Sequence, residues 1–173
     1  MRGLRNVYLI GPMGSGKTAV GRRLAQLLGR QFVDSDAEIE KRTGVDVRYI
    51  FEKEGEARFR DREREVIAEL TALEDVVVAT GGGAVLDPVN RERLVATGTV
   101  VYLKTSLDAL VQRTKASKNR PLLMNDDPRA VLERLLSIRR PLYEAIADLS
   151  IETTGRQVRA VAADIRQRLS VDP

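Results

Sequence analysis

The chain has 173 residues, 43% of them apolar and 31% charged, with a net charge of +4; that balance suits one soluble domain with one buried core. Cysteine and histidine are both absent, which excludes disulfides, thiolate metal sites and imidazole catalysis and leaves any general base to a carboxylate or a less usual group. No apolar run reaches the roughly 18 residues of a membrane span, the first residues lack a secretory leader, and the few aromatics do not interleave with a basic stripe, so a cytoplasmic protein with no membrane or nucleic-acid partner is expected.

In chain order, Asn6–Ile10 reads as a strand, Gly11–Gly16 as a glycine-rich turn and Lys17–Leu28 as a helix that stops at Gly29. Gln31–Val33 is a short strand, and Ser35 with Glu38 has the capping-box spacing for a helix over Ala37–Arg42. From about Glu56 a long helix puts Phe59, Val66, Leu70 and Leu73 on one face. Val76–Thr80, Thr99–Leu103 and Leu149–Glu152 complete five strands, and a last helix runs from about Gln157 to Leu169. Such alternation predicts the α/β class, with a five-stranded parallel sheet flanked by helices on both faces. Lys115–Asp127 is polar, holds Pro121, is followed at once by Pro128 and shows no period; long irregular segments of this kind are often lids or binding loops.

Gly11-Pro12-Met13-Gly14-Ser15-Gly16-Lys17-Thr18 fits G-x-x-x-x-G-K-[ST], between a strand and a helix. The glycines let backbone N–H groups converge on phosphate oxygens, and the helix points its positive end at the same anion. Lys17 then reaches the outer phosphates and the Thr18 hydroxyl ligates Mg²⁺. A switch GTPase would also need D-x-x-G and N-K-x-D, and the chain has neither.

Asp34-Ser35-Asp36 closes the second strand. On an extended segment residues two apart face the same way, so one carboxylate would hold the metal's water shell and the other accept a hydroxyl proton. Capping of the next helix is the alternative reading, and the two are compatible. Gly81-Gly82-Gly83 follows an apolar strand, where open α/β sheets bind ligands; a plain strand-to-helix connection is the alternative. No acidic residue ends that strand, so Asp34 becomes the candidate metal carboxylate. Arg60 and Glu63 are spaced to pair on the long helix, although charge runs on helices are usually solvated faces. Arg139 precedes Pro141-Leu142-Tyr143 at an expected helix break, and Arg120 lies in the irregular segment, suited to clamp a phosphate.

Taken together, G-P-M-G-S-G-K-T, the D-S-D pair, F-R-x-x-E, G-G-G, R-P-L-L and R-x-P-L-Y resemble, in order and spacing, the shikimate kinases, from about Val7 to Leu169. The resemblance implies a three-layer P-loop kinase fold of the nucleoside-monophosphate-kinase type, one domain spanning 1–173, a substrate region at about 33–62 and a mobile lid at about 113–127. It implies transfer of the ATP γ-phosphoryl group to the 3-hydroxyl of shikimate, with one Mg²⁺ ion. Lys17, Asp36 and Arg120 would be catalytic, Asp36 as the base. Gly14, Ser15, Gly16, Lys17, Thr18, Ala19, Arg113, Arg120 and Gln157 would bind the nucleotide. Asp36, Arg60, Gly82 and Arg139 would bind shikimate, and Thr18 and, through water, Asp34 would bind the metal. ATP/ADP and shikimate are the expected partners of a monomer. Gluconate kinases and nucleoside monophosphate kinases share the loop and are the alternatives.

Overall fold

The computed structural model describes residues 5–115 and 127–171. Five strands, β1 (Asn6–Ile10), β2 (Gln31–Asp34), β3 (Val76–Ala79), β4 (Gly98–Lys104) and β5 (Leu149–Glu152), form one parallel sheet in the order β2-β3-β1-β4-β5. Every residue of β1 and β3 is buried, as expected of central strands covered on both faces.

The pleat of β1 divides the core. Tyr8 and Ile10 point to one side, with Val76, Val78, Val100 and Tyr102. Val7 and Leu9 point to the other, with Val77, Val101 and Leu103. The first side is covered by α4 (Glu56–Leu70), α5 (Pro88–Thr97) and α7 (Pro128–Ile146), through Val66, Leu94 and Tyr143. The second is covered by α1 (Lys17–Leu28) and α8 (Val158–Val171), through Leu24 and Ile165. These are the three layers that the alternating pattern predicts.

Across the region expected to hold the substrate run α2 (Ser35–Thr43) and α3 (Val47–Glu54), joined where Glu40 Oε1 accepts from Val47 N at 3.0 Å. A 3₁₀ turn (Ala84–Leu86) follows the triple glycine, and α6 (Leu107–Lys115) precedes the segment outside the described residues.

Three local expectations are corrected. Asp34, not Ser35, caps α2: its Oδ1 accepts from Ala37 N at 3.0 Å. Asp36 therefore lies in the first helical turn, not on an extended segment. Leu73 falls outside the apolar face, because α4 ends at Leu70, where the Thr71 hydroxyl bonds back to Ile67 O, and Leu73 is 42% exposed. Finally, Pro141 does not break α7, which runs through it to Ile146; the proline only withholds the N–H that Ser137 O would have accepted.

Candidate active site

The phosphate loop leaves β1 in the centre of the sheet and turns on Gly14 and Gly16, both at positive φ (85° and 91°), a region open to glycine and costly for other residues. Gly11 is confined as well: a Cβ there would lie 2.8 Å from Leu103 O. Gly16 is the N-cap of α1, so the loop feeds directly into the positive end of a helix. Lys17 is 9% exposed, and its ammonium donates to Gly11 O at 2.7 Å and Pro12 O at 2.8 Å. Arg113, from α6, donates through Nη1 to Gly14 O at 2.9 Å, so this residue does meet the loop.

Thr18 Oγ1 donates to Asp34 Oδ2 at 2.6 Å. Since Asp34 spends its other oxygen on the α2 cap, its carboxylate is held from two sides. Among the described residues there is no group of three or more Asp, Glu, His or Cys placed to hold a metal. A hydroxyl and a carboxylate side by side are the hard-oxygen donors that suit Mg²⁺, an ion that keeps several waters and shares phosphate oxygens.

Beside the loop lies a cavity of about 300 Å³, whose walls include Met13, Thr18, Asp34, Asp36, Phe59, Arg60, Glu63, Gly82 and Arg139. The triple glycine forms its floor. A Cβ on Gly81 would stand 2.6 Å from Asp36 Oδ1 and 2.8 Å from Glu63 Oε2, and one on Gly83 would collide with the Arg60 guanidinium. Glycine is required here by close approach, not by backbone angle.

Arg60 Nη1 donates to Glu63 Oε1 at 3.0 Å and Nη2 to Glu56 Oε1 at 3.1 Å. Burial works against its charge, but the two carboxylates outweigh burial and raise its pKa. Glu63 is 1% exposed, and burial pushes its carboxyl up to about 7; Arg60 opposes that shift, and the nearby Asp36 charge adds to it. Arg139 is 4% exposed, and its pKa is lowered by burial and by the like charge of Arg60. A half-buried guanidinium, Arg60 with its two carboxylates, and a buried one, Arg139, thus line one cavity. Guanidinium groups suit a carboxylate or phosphate ligand, and the Asp36 carboxylate lines the same cavity.

A model of the family described as shikimate kinase matches residues 13–170. The shikimate kinase of Halorhodospira halophila is 56% identical over 167 residues, spanning 96% of this chain and 94% of that relative. The chain belongs to the shikimate kinase family. A solved shikimate kinase from Acinetobacter baumannii, in complex with shikimate, is 51% identical with a TM-score of 0.96, covering 98% of this chain and 95% of that one. A gluconokinase from Sinorhizobium meliloti, at 18% identity and a TM-score of 0.64, covers 99% of this chain and 94% of its own, and shares the fold alone.

Within this family member, the expected site residues are brought together unevenly. Asp36, Arg60, Gly82 and Arg139 share the cavity with Thr18 and Asp34, and Gly14, Ser15, Gly16 and Lys17 form the loop. Ala19 is exposed on α1. Gln157 stands at the entrance to α8, where its carbonyl accepts from Ala160 N and Val161 N at 3.1 Å, and no described contact joins it to the loop. Arg120, with residues 116–126 of the expected lid, lies outside the described residues. Two contacts escape sequence reasoning. Ser35 Oγ accepts from Gly81 N at 2.9 Å, and Tyr143 OH donates to Gly82 O at 2.6 Å. The Arg139–Tyr143 spacing of four was the one available signal, since it puts both on a single helix face.

Proposed function

We propose that this chain phosphorylates the 3-hydroxyl of shikimate with ATP, giving 3-phosphoshikimate and ADP, a step toward chorismate and the aromatic amino acids. The observation that carries this reading is the single cavity in which Arg60, Arg139 and Gly82 face Asp36 beside the phosphate loop. Its two ends match a substrate with a carboxylate at one pole and hydroxyls at the other.

Arg60 and Arg139 bind the carboxylate, Arg60 held in place by Glu63. Asp36 orients the attacking hydroxyl and takes its proton at a carboxylate oxygen. Gly14 to Thr18 cradle the phosphates, and Lys17 exchanges its loop carbonyls for phosphate oxygens. Thr18 and Asp34 would hold Mg²⁺, which supplies charge neutralisation on the phosphates. Arg113 fixes the loop from α6. Positioning and electrostatics then do most of the work in an in-line transfer.

Coupled ADP release is the direct test, with ATP, Mg²⁺ and shikimate set beside gluconate and nucleoside monophosphates. Turnover with shikimate alone is the expected result. Equal or better turnover with gluconate would replace the reading.

A further inference from the structure

The triple glycine, Gly81-Gly82-Gly83, is held at each of its peptide planes. Ser35 Oγ on α2 accepts from Gly81 N at 2.9 Å. Gly81 O accepts from Ala84 N at 3.0 Å. Gly82 O accepts from the Tyr143 hydroxyl on α7 at 2.6 Å. A trans peptide with its carbonyl fixed has its N–H fixed on the opposite side. The second and third contacts therefore set the directions of the Gly82 and Gly83 N–H groups. Neither of those N–H groups donates to any described residue.

Tyr143 stands behind this loop. It does not line the cavity beside the phosphate loop, whereas the three glycines do. Its ring is fully buried and stacks on Tyr102 of β4, with centroids 5.0 Å apart and planes 26° apart. Tyr102 in turn pairs in register with Ile10, the last strand residue before the phosphate loop. Burial raises the phenol's pKa against the opposing charge of Arg139, so the hydroxyl keeps its proton and donates. Arg139 sits one helical turn away, and its Nη1 would lie 3.5 Å from a Cβ on Gly82.

We propose that Tyr143 is a positioning residue of the substrate site: by pinning the Gly82–Gly83 peptide from behind, its hydroxyl aims backbone N–H groups of the triple glycine at the substrate carboxylate that Arg139 and Arg60 bind. The proposal rests on the shikimate kinase reading. It accounts for a buried hydroxyl on the one helix that also carries Arg139, and for the ability of a glycine run to serve as a rigid floor.

Tyr143→Phe removes only the hydroxyl and keeps the ring on Tyr102. The lost contact leaves Gly82 O unsatisfied, so the KM for shikimate should rise about tenfold, equivalent to about 1.4 kcal/mol. The KM for ATP should stay within about twofold, and kcat should fall less than the shikimate KM rises. A purely structural role would move both KM values or neither. Wild-type turnover secures the functional reading separately, so an unchanged shikimate KM in Tyr143→Phe overturns this proposal alone. A second readout covers a variant that fails to fold. In wild type labelled with ¹⁵N-glycine, added shikimate should shift the Gly82 and Gly83 amide resonances, and resonances that stay fixed would equally overturn the proposal.

Discussion

In the proposed reaction Asp36 would carry the proton transfer that a histidine carries in another enzyme, and its setting suits that role. It sits in the first turn of α2, behind an Asp34 cap, with its oxygen packed over Gly81 and its charge felt by Glu63. Asp36→Asn keeps the size and removes the proton acceptor, so kcat should drop roughly 100-fold or more, the general scale of acid–base assistance. A near-normal rate in a coupled assay would reduce Asp36 to a positioning group. Several of the residues that meet at the loop and the cavity were legible in the sequence, because phosphate loops and ion pairs call for residue types at fixed spacing: Gly14, Gly16, Lys17 and Thr18 in the loop, Arg60 with Glu63 on one turn. The roles of Ser35 and Tyr143 were not legible. Each acts on a glycine distant in sequence, and nothing local marks a hydroxyl for a partner 46 or 61 residues away.

At the scale of elements, the misread start of α2 has the same origin. Asp34 and Ser35 are both good capping residues, and Gly81 decides between them by occupying the serine. Pro141 is a second example: a local rule favours a break, and α7 continues because its face is committed to the core through Leu136, Arg139 and Tyr143. Packing between elements is tight where β4 begins. Gly98 has an extended backbone, but a Cβ there would lie 2.5 Å from Asn6 O and 2.5 Å from the Tyr8 ring. A carbonyl in the sheet has no room to retreat, so Gly98→Ala should lower stability by about 1–3 kcal/mol. Urea unfolding would measure the loss, while the KM values of the folded fraction should remain those of wild type, since the site lies at the other end of the strands.

At the scale of the whole molecule, one buried carboxyl ties stability to pH. Glu63 on α4 is faced by Asp36 of α2 and Arg139 of α7 as well as by Arg60, and its pKa rises from the ordinary 4.5 to about 7 on folding. Below about 4.5 it is neutral in both the folded and unfolded chain. Between that value and about 7 the unfolded chain releases the proton and the folded chain retains it, so stability contributed by Glu63 falls as pH rises through this window. Relative to Glu63→Gln, the wild-type urea midpoint should therefore decline from about pH 4.5 to pH 7, and parallel midpoints would refute the coupling. The layered α/β design was legible from the apolar runs. The strand order was not, because it depends on which strands bury both faces and which lie at the edge.

The central place of β1 also has a consequence for synthesis on the ribosome. Its hydrogen-bonding partners are β3 and β4, and Asn6 accepts from Val76 N across 70 residues. At the usual pace of about 5–20 residues per second, the strand that will bear the phosphate loop waits some seconds with both edges bare. The nascent chain therefore exposes this strand, fully buried in the fold, the longest, and this is the stage at which a chaperone would have the most to hold.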